Sequence, residues 1–278
     1  MALYAPLTGE YMKKMIDDLP AGVAPDIICD FFSEEEWSRR PSPVPCEISL
    51  TIYVNNQELA TILCTPSRLN CLVLGFLYSE GIITDAGEVT SMRICEDEPI
   101  ADVRLSKDEI KMPSRRTLTS GCGSGVSFET ETQRVDSDLM VAPQEILALM
   151  KQLHHQQELY QHCGGIHCSA LCDRNQILVA AEDIGRHNTL DKILGECLLR
   201  KLPTRDGILL TTGRLSSEML LKAAKMQAPV VVSRGSPTER AISLGHDLAI
   251  TVIGYARSNR LSVFSGQERV LTDDTQNP

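Results

Sequence analysis

One cysteine differs from the other nine in this chain by its surroundings. Cys122 sits in Thr119-Ser120-Gly121-Cys122-Gly123-Ser124-Gly125. A thiol is a nucleophile only as thiolate, and only where a partner can reach it. Flanking Gly121, Gly123 and Gly125 remove side-chain bulk and free the backbone. Arg115 and Arg116, close in sequence, favour the charged form. A cysteine kept for packing would have apolar neighbours instead. The composition predicts a reactive thiol on an irregular, mobile connection, and leaves the reaction open. The bland alternative is a loop cysteine with no role.

Three further segments could hold an anion. Glu182-Asp183-Ile184-Gly185-Arg186-His187-Asn188-Thr189-Leu190-Asp191-Lys192 follows an apolar strand and opens a helix. A helix start offers free N–H groups and the positive end of a dipole; Arg186 and His187 add charge. Thr211-Thr212-Gly213-Arg214-Leu215-Ser216-Ser217 and Ser233-Arg234-Gly235-Ser236-Pro237-Thr238 repeat the arrangement. Each brings a glycine, an arginine and hydroxyls to the carboxyl end of a strand, where open α/β sheets bind ligands. Arginine suits bidentate phosphate contacts. Gly213, Arg214, Ser236 and Thr238 therefore join Arg186 and His187 as candidate lining of a nucleotide-like anion pocket. No segment is a P-loop, because no Gly-Lys-Ser/Thr ends it. A structural reading of the 182–192 segment, as helix cap and ion-pair network, stands beside the ligand reading at even weight.

His162-Cys163-Gly164-Gly165-Ile166-His167-Cys168-Ser169-Ala170-Leu171-Cys172 has metal-ligand residue types but not the paired spacing of a zinc site. On a strand from Ile166, Cys168 and Cys172 share the face of Ala170, which is core packing. No zinc is expected. His154 and His155 read as solvent-facing helix residues. Cys29, Cys46, Cys64, Cys71, Cys95 and Cys197 sit among apolar residues and read as small hydrophobes.

The elements that must position these groups follow from periodicity. Residues 1–40 read as a polar arm, with a short helix from Glu10 to Asp18. Pro41, Pro43 and Pro45 break any helix after it. Ile48, Leu50, Ile52 and Val54 alternate with polar partners, so Glu47 to Leu63 reads as a hairpin turned at Asn55-Asn56. Thr65-Pro66 reads as N-cap and first position of a helix ending at Gly81. Strands follow at 89–95 and 100–105, giving a small α+β domain over 41–110. Residues 111–142 form the cysteine loop and connection. From 143 to 278, helices alternate with strands. The helices are expected at 144–160, 187–199, 216–226 and 238–246. The strands are expected at 166–171, 176–181, 207–211, 229–233, 249–255 and 261–264. That alternation predicts an α/β sandwich with a largely parallel sheet.

The chain has 278 residues and a net charge of −10, which argues against general attraction to nucleic acid. No apolar run approaches the roughly 20 residues that cross a bilayer, and no signal peptide opens the chain. A cytoplasmic location with reduced thiols is expected, without membrane association.

Taken together, the motifs resemble the FdhD family of formate dehydrogenase accessory sulfurtransferases. The resemblance rests on Thr65-Pro66, Gly75-Phe76-Leu77-Tyr78-Ser79-Glu80-Gly81-Ile82-Ile83, Gly121-Cys122-Gly123, Gly164-Gly165-Ile166-His167 and Glu182 through Lys192. It continues through Gly213-Arg214-Leu215-Ser216-Ser217-Glu218-Met219, Ser236-Pro237-Thr238 and Gln267-Glu268-Arg269. The resemblance implies a cytidine-deaminase-like C-terminal α/β/α domain lacking the zinc site. It implies a homodimer in which Cys122 takes persulfide sulfur from a cysteine desulfurase. The acceptor it implies is the molybdenum or tungsten bis-molybdopterin guanine dinucleotide cofactor, before insertion into formate dehydrogenase. The family's cofactor-contacting segment falls on Leu261-Ser262-Val263-Phe264-Ser265-Gly266. GDP would then serve as a surrogate ligand.

Two departures bear on this. Many family members carry Cys-x-x-Cys in the loop; here the fourth position is Gly125, so release of sulfur by a second loop thiol is not expected. True deaminases carry His-x-Glu and Pro-Cys-x-x-Cys, and here Cys168 and Ser169 follow His167 with no such pair. Two competing functions stay open at this point: a cofactor-binding chaperone without sulfur transfer, and a deaminase-like hydrolase.

Overall fold

A computed structural model describes residues 20–24, 27–95, 98–107 and 133–272 in full, and 116–118 and 126–128 as backbone. The Cys122 segment and the expected helix at 10–18 lie outside the described residues.

The first described elements are β1 (Val23–Ala24), a hairpin of β2 (Ile28–Ser33) and β3 (Glu36–Pro41), and β4 (Val44–Pro45), which pairs with β1. The stretch expected as a polar arm is thus partly strand. Its alternation was hidden because both faces of the hairpin are largely exposed.

The first packed unit is a four-stranded sheet in the order β6-β5-β8-β7, with β5 at Ile48–Val54, β6 at Gln57–Cys64, β7 at Val89–Cys95 and β8 at Ile100–Leu105. Asn55 and Asn56 take positive φ (48° and 67°), the primed turn that matches strand twist. Helix α1 (Leu69–Ser79) covers this sheet, burying Leu72, Val73, Leu74, Phe76 and Leu77 against Leu50, Ile52, Val54 and Val103. It starts three residues later than Thr65-Pro66 predicts, behind Arg68 in a left-handed conformation. Thr65 is fully buried and bonds the other unit instead of capping.

Two short strands, β9 (Arg116–Leu118) and β10 (Val126–Phe128), pair antiparallel on either side of residues 119–125.

The second unit is three-layered. Its sheet runs β12-β11-β13-β14-β15-β16, with β11 at His167–Cys172, β12 at Ile177–Asp183, β13 at Ile208–Thr211, β14 at Val230–Ser233, β15 at Thr251–Arg257 and β16 at Arg260–Ser265. Only β13–β14 and β14–β15 pair in parallel; the other three ladders are antiparallel. The sheet is therefore mixed, not largely parallel, because β11–β12 and β15–β16 are hairpins with no crossover helix.

Helix α2 (Pro143–His155) covers one face. It buries Ile146, Leu149 and Leu153 against Cys168, Ala170, Cys172, Ile208, Leu210, Val230 and Val232. The expected single helix over 144–160 breaks at Gln156-Gln157, and α3 (Glu158–Cys163) follows. Glu182 sets the break by accepting the Leu159 and Tyr160 N–H groups. The opposite face carries α4 (Arg186–Arg200), α5 (Ser217–Lys225) and α6 (Glu239–Leu248) over Leu171, Leu209, Val231 and Val252. Of the cysteines read as packing residues, Cys64, Cys71 and Cys197 are buried; Cys29, Cys46 and Cys95 are only half-buried.

The two units are locked where α1 crosses α4. A Cβ on Gly75 would stand 1.9 Å from the Asp191 carbonyl oxygen, and one on Gly195 would stand 1.9 Å from that of Cys71. Only glycine permits this approach.

Candidate functional site

Strands β12, β13, β14 and β15 run in one direction, since β11 is antiparallel to both β12 and β13. Their carboxyl ends share one edge of the sheet. The three segments that end in Arg186, Arg214 and Arg234 therefore meet there, with Gly164-Gly165-Ile166-His167 entering β11 at the same edge.

The turns after β13 and β14 are stitched together. Ser233 Oγ donates to the Gly213 carbonyl and accepts the Gly235 N–H at 2.8 Å. Leu215 N–H reaches the Ser236 carbonyl at 3.1 Å, and Thr238 N–H reaches Leu215 at 2.9 Å. Beneath them the Ser169, Thr189 and Thr211 hydroxyls form a buried chain. This edge is rigid backbone, as a preorganised site requires.

Side-chain alternation divides the edge into two halves. Ile208, Leu210 and Thr212 point toward α2, as do Val230, Val232 and Arg234. There a cavity of about 490 Å³ opens between α2 and the sheet edge, lined by Lys151, His154, Gln157, Thr212, Arg234 and Arg257 among others. A second hollow of about 350 Å³ continues it past Tyr160 and Gly165 to His167, sharing Gln157, Thr212 and Arg234. Three cationic side chains and two imidazoles line this groove, and no described lining residue is a carboxylate. In a chain of net charge −10 that is a local reversal of sign.

The other half faces α4. Gly213 lies against Arg186 and His167: a Cβ there would stand 3.1 Å from the Arg186 Cβ and 3.3 Å from His167 Nδ1. Burial, then the Arg186 guanidinium, hold His167 below the usual imidazole value. His167 is thus a neutral donor–acceptor near pH 7. His187 Nε2 lies 3.0 Å from Glu218 Oε2 and 3.3 Å from Ser216 Oγ. Burial pushes the Glu218 carboxyl up. The His187 hydrogen bond and the charges of His187, Arg186 and Lys222 outweigh it, so Glu218 titrates below the ordinary carboxylate range.

Not every expected residue comes to this edge. Arg214 is exposed, with its backbone beside Gly235. Ser236 is half-buried and carries the stitching carbonyl, while the Thr238 hydroxyl is spent capping α6 at Ala241 N–H. The segment Leu261–Gly266 runs along β16 away from the groove. Leu261 and Val263 pack on the α2-side core and Phe264 on the opposite one, with Ser262 exposed between them. Ser265 is fully buried, pinned to Ile250 and Val252 backbone, and Gly266 (φ 66°) packs on Thr251, at the far end of the sheet. Cys122 lies outside the described residues.

Much of the 182–192 segment is structural. Asp183 accepts the Thr65 and Gly185 N–H groups and one N–H of Asn188, whose amide also reaches Leu63. Asp191 joins Ser79 to Lys222. The structural reading holds for Asp183, Asn188, Asp191 and Lys192, which clamp the units, while Arg186 and His187 lie toward the edge.

Lys151, Gln157 and Arg257 do not stand out in the sequence, and His154, expected to face solvent, is exposed and lines the groove as well. The available signal was spacing. Leu147, Lys151 and His154 stand at i, i+4 and i+7, a second flank of α2 beside its core stripe.

The FdhD/NarQ family model matches residues 45–271. A protein of Bacillus pumilus called sulfur carrier protein FdhD is 37% identical over 247 residues, covering 86% of this chain and 94% of that one. One of the same name from Halalkalibacterium halodurans is 40% identical over 250 residues, covering 86% and 93%. A crystal structure described as a formate dehydrogenase accessory protein from Desulfotalea psychrophila superposes with a TM-score of 0.74 at 26% identity, covering 90% of this chain and all of that one. The family match contains both packed sheets and every residue named in the groove, and the chain belongs to the FdhD/NarQ family.

Proposed function

We propose that this protein is a sulfur carrier serving formate dehydrogenase, with Cys122 as the carrier thiol and a guanine dinucleotide form of the molybdenum or tungsten cofactor as the acceptor substrate. The observation that carries the reading is the carboxylate-free cationic groove at the sheet edge, which has the charge and hydrogen-bonding character for a diphosphate. The family supplies the rest: relatives covering most of this chain are called sulfur carrier proteins. The protein acts as a homodimer in this reading.

The loading step is a thiol exchange. The Cys122 thiolate attacks the outer sulfur of the donor's cysteine persulfide. A new S–S bond forms at Cys122, the donor's S–S bond breaks, and the donor cysteine departs as thiolate. With Gly125 in place of a second loop cysteine, no intraloop disulfide competes with the persulfide.

The test is to incubate the protein with a cysteine desulfurase and cysteine, then weigh it. One labile sulfur on the wild type and none on Cys122→Ala is the expected result. Equal loading of both would remove Cys122 from the role. Full formate dehydrogenase activity with Cys122→Ala would leave a cofactor-binding chaperone instead.

A further inference from the structure

One buried polar side chain in the groove is not used by the fold. Gln157 is 3% exposed and stands at the break between α2 and α3, as the N-cap residue of α3. Glutamine is not among the residues that cap well, and its side chain makes no capping bond here. Glu182 does that work by accepting the Leu159 and Tyr160 N–H groups. The Gln157 backbone carbonyl accepts the Gln161 N–H, but the amide oxygen and nitrogen of the side chain have no hydrogen-bond partner among the described residues. Neither atom is sealed off. Gln157 lines both hollows of the groove, and Thr212 and Arg234 are the two residues that do so with it.

An amide at this place asks for more than an anion. It presents an N–H donor beside a C=O acceptor. A phosphate only accepts, so it would pair with Nε2 and leave Oε1 without a donor, which costs free energy in a closed site. Lys151, Arg234 and Arg257 are donors suited to the phosphate oxygens themselves. For both amide atoms to be paired, the ligand must bring a donor next to an acceptor. A cyclic amide does this. Its ring N–H meets Oε1 while its C=O receives Nε2, two parallel bonds in one plane. Guanine carries that edge, and a pterin ring carries the same one. Beside Gln157 the narrower hollow is walled by the Tyr160 ring and by Gly165, which has no side chain, a pairing suited to a flat heterocycle.

We propose that Gln157 recognises the cyclic-amide edge of the ligand's heterocycle, the N–H beside C=O that guanine and pterin share, while Arg234 holds the diphosphate. The cations then supply affinity for any phosphorylated ligand, and the neutral amide selects among them. This deepens the cofactor reading of the groove and rests on it.

Calorimetric titration of the full chain tests it with GDP, inorganic pyrophosphate, 1-methylguanosine diphosphate, which lacks the ring N–H, and 6-hydroxymethylpterin. Gln157→Met keeps the length of the side chain and removes the amide. It should bind GDP about tenfold more weakly than wild type, and pyrophosphate equally well, with unchanged circular dichroism. On the wild type, 1-methylguanosine diphosphate should lose about the same tenfold relative to GDP, a comparison that needs no variant to fold. On Gln157→Met the methyl group should cost nothing further, because its partner is already gone. GDP affinity equal in both proteins, with pterin binding lost in the variant, would assign the edge to pterin. Equal affinity of both proteins for GDP and for the pterin would overturn the role of Gln157, as would equal binding of GDP and its 1-methyl form to a wild type that ignores the pterin. Pyrophosphate lost in parallel with GDP would make Gln157 a structural residue of the groove and overturn it too. A wild type that binds neither GDP nor pyrophosphate would overturn the diphosphate reading instead, and the pterin titration would then decide Gln157.

Discussion

Asp183 and Lys192 form a 2.7 Å ion pair with neither side chain exposed to solvent. The pair lies at the seam between the two sheets. Lys192 Nζ also reaches the Thr65 carbonyl, Ser67 Oγ and the Glu182 carbonyl, while Asp183 takes the Thr65 N–H. Removing one member leaves a buried charge alone, which costs about 3–5 kcal/mol. Lys192→Met and Asp183→Asn should each lower the urea unfolding free energy by roughly that amount. The double substitution should lose less than the sum, since no charge is then stranded. A loss under about 1 kcal/mol for Lys192→Met would show that the seam is held otherwise.

Gly195→Ala separates packing from propensity. In an open helix interior, alanine is favoured over glycine by about 1 kcal/mol. Here the new Cβ meets the Cys71 carbonyl at 1.9 Å, and backbone cannot rotate aside. The melting temperature should fall, against the sign that helix propensity predicts. Gly75→Ala should act the same way through Asp191. A rise in melting temperature for either would mean that α1 and α4 lie further apart.

How much of this was legible follows from which interactions are local. The elements of the second unit were readable because period 2 and period 3.6 patterns are local; Ile177–Asp183 and Arg186–Arg200 fall within a few residues of their expected places. The sheet's mixed direction was not, because a tight β-connection and a crossover differ in three dimensions more than in composition. Thr65 looked like a helix cap since a cap and a buried backbone clamp use the same hydroxyl; its partner, Asp183, lies 118 residues away. At the site, Arg186 and Gly213 were visible as motif residues, whereas Lys151 and His154 reach the groove only because α2 packs across the sheet. The exposed hairpin was hard to read because β2 alternates only between exposed and half-buried and β3 is exposed throughout, so neither strand shows a core face.

The groove should bind GDP through Arg234 and Arg257 more than through Arg214. The first two line the cavity and the third stands outside it. Arg234→Ala and Arg257→Ala should each weaken GDP binding about tenfold, or about 1.4 kcal/mol. Wild-type affinity should fall with added salt as surface charges are screened. Ser265→Ala, at the far end of β16, should lower stability and leave GDP affinity unchanged. Calorimetric titration with GDP reads all four. Equal affinity in wild type and Arg234→Ala would move the diphosphate out of this groove.

His167 should couple GDP binding to proton uptake. In the free protein, burial and Arg186 hold its pKa below the ordinary imidazole value. Between that lowered pKa and about 6.5, the unfolded chain binds the proton and the folded chain does not. Stability carried by neutral His167 is therefore fully present above that window and is lost as pH falls through it. A bound diphosphate reverses the balance, because an anion beside the imidazole favours its charged form. GDP should then bind more tightly as pH drops from 7 toward 6, with protons taken up on binding. Calorimetry in two buffers of different ionisation enthalpy measures that uptake directly. His167→Gln should abolish this share of it and flatten the acid loss of stability, while Arg186→Lys, which keeps a charge beside the ring, should retain both. Proton uptake unchanged in His167→Gln would show that another group, and not the imidazole between Arg186 and Gly213, senses the ligand.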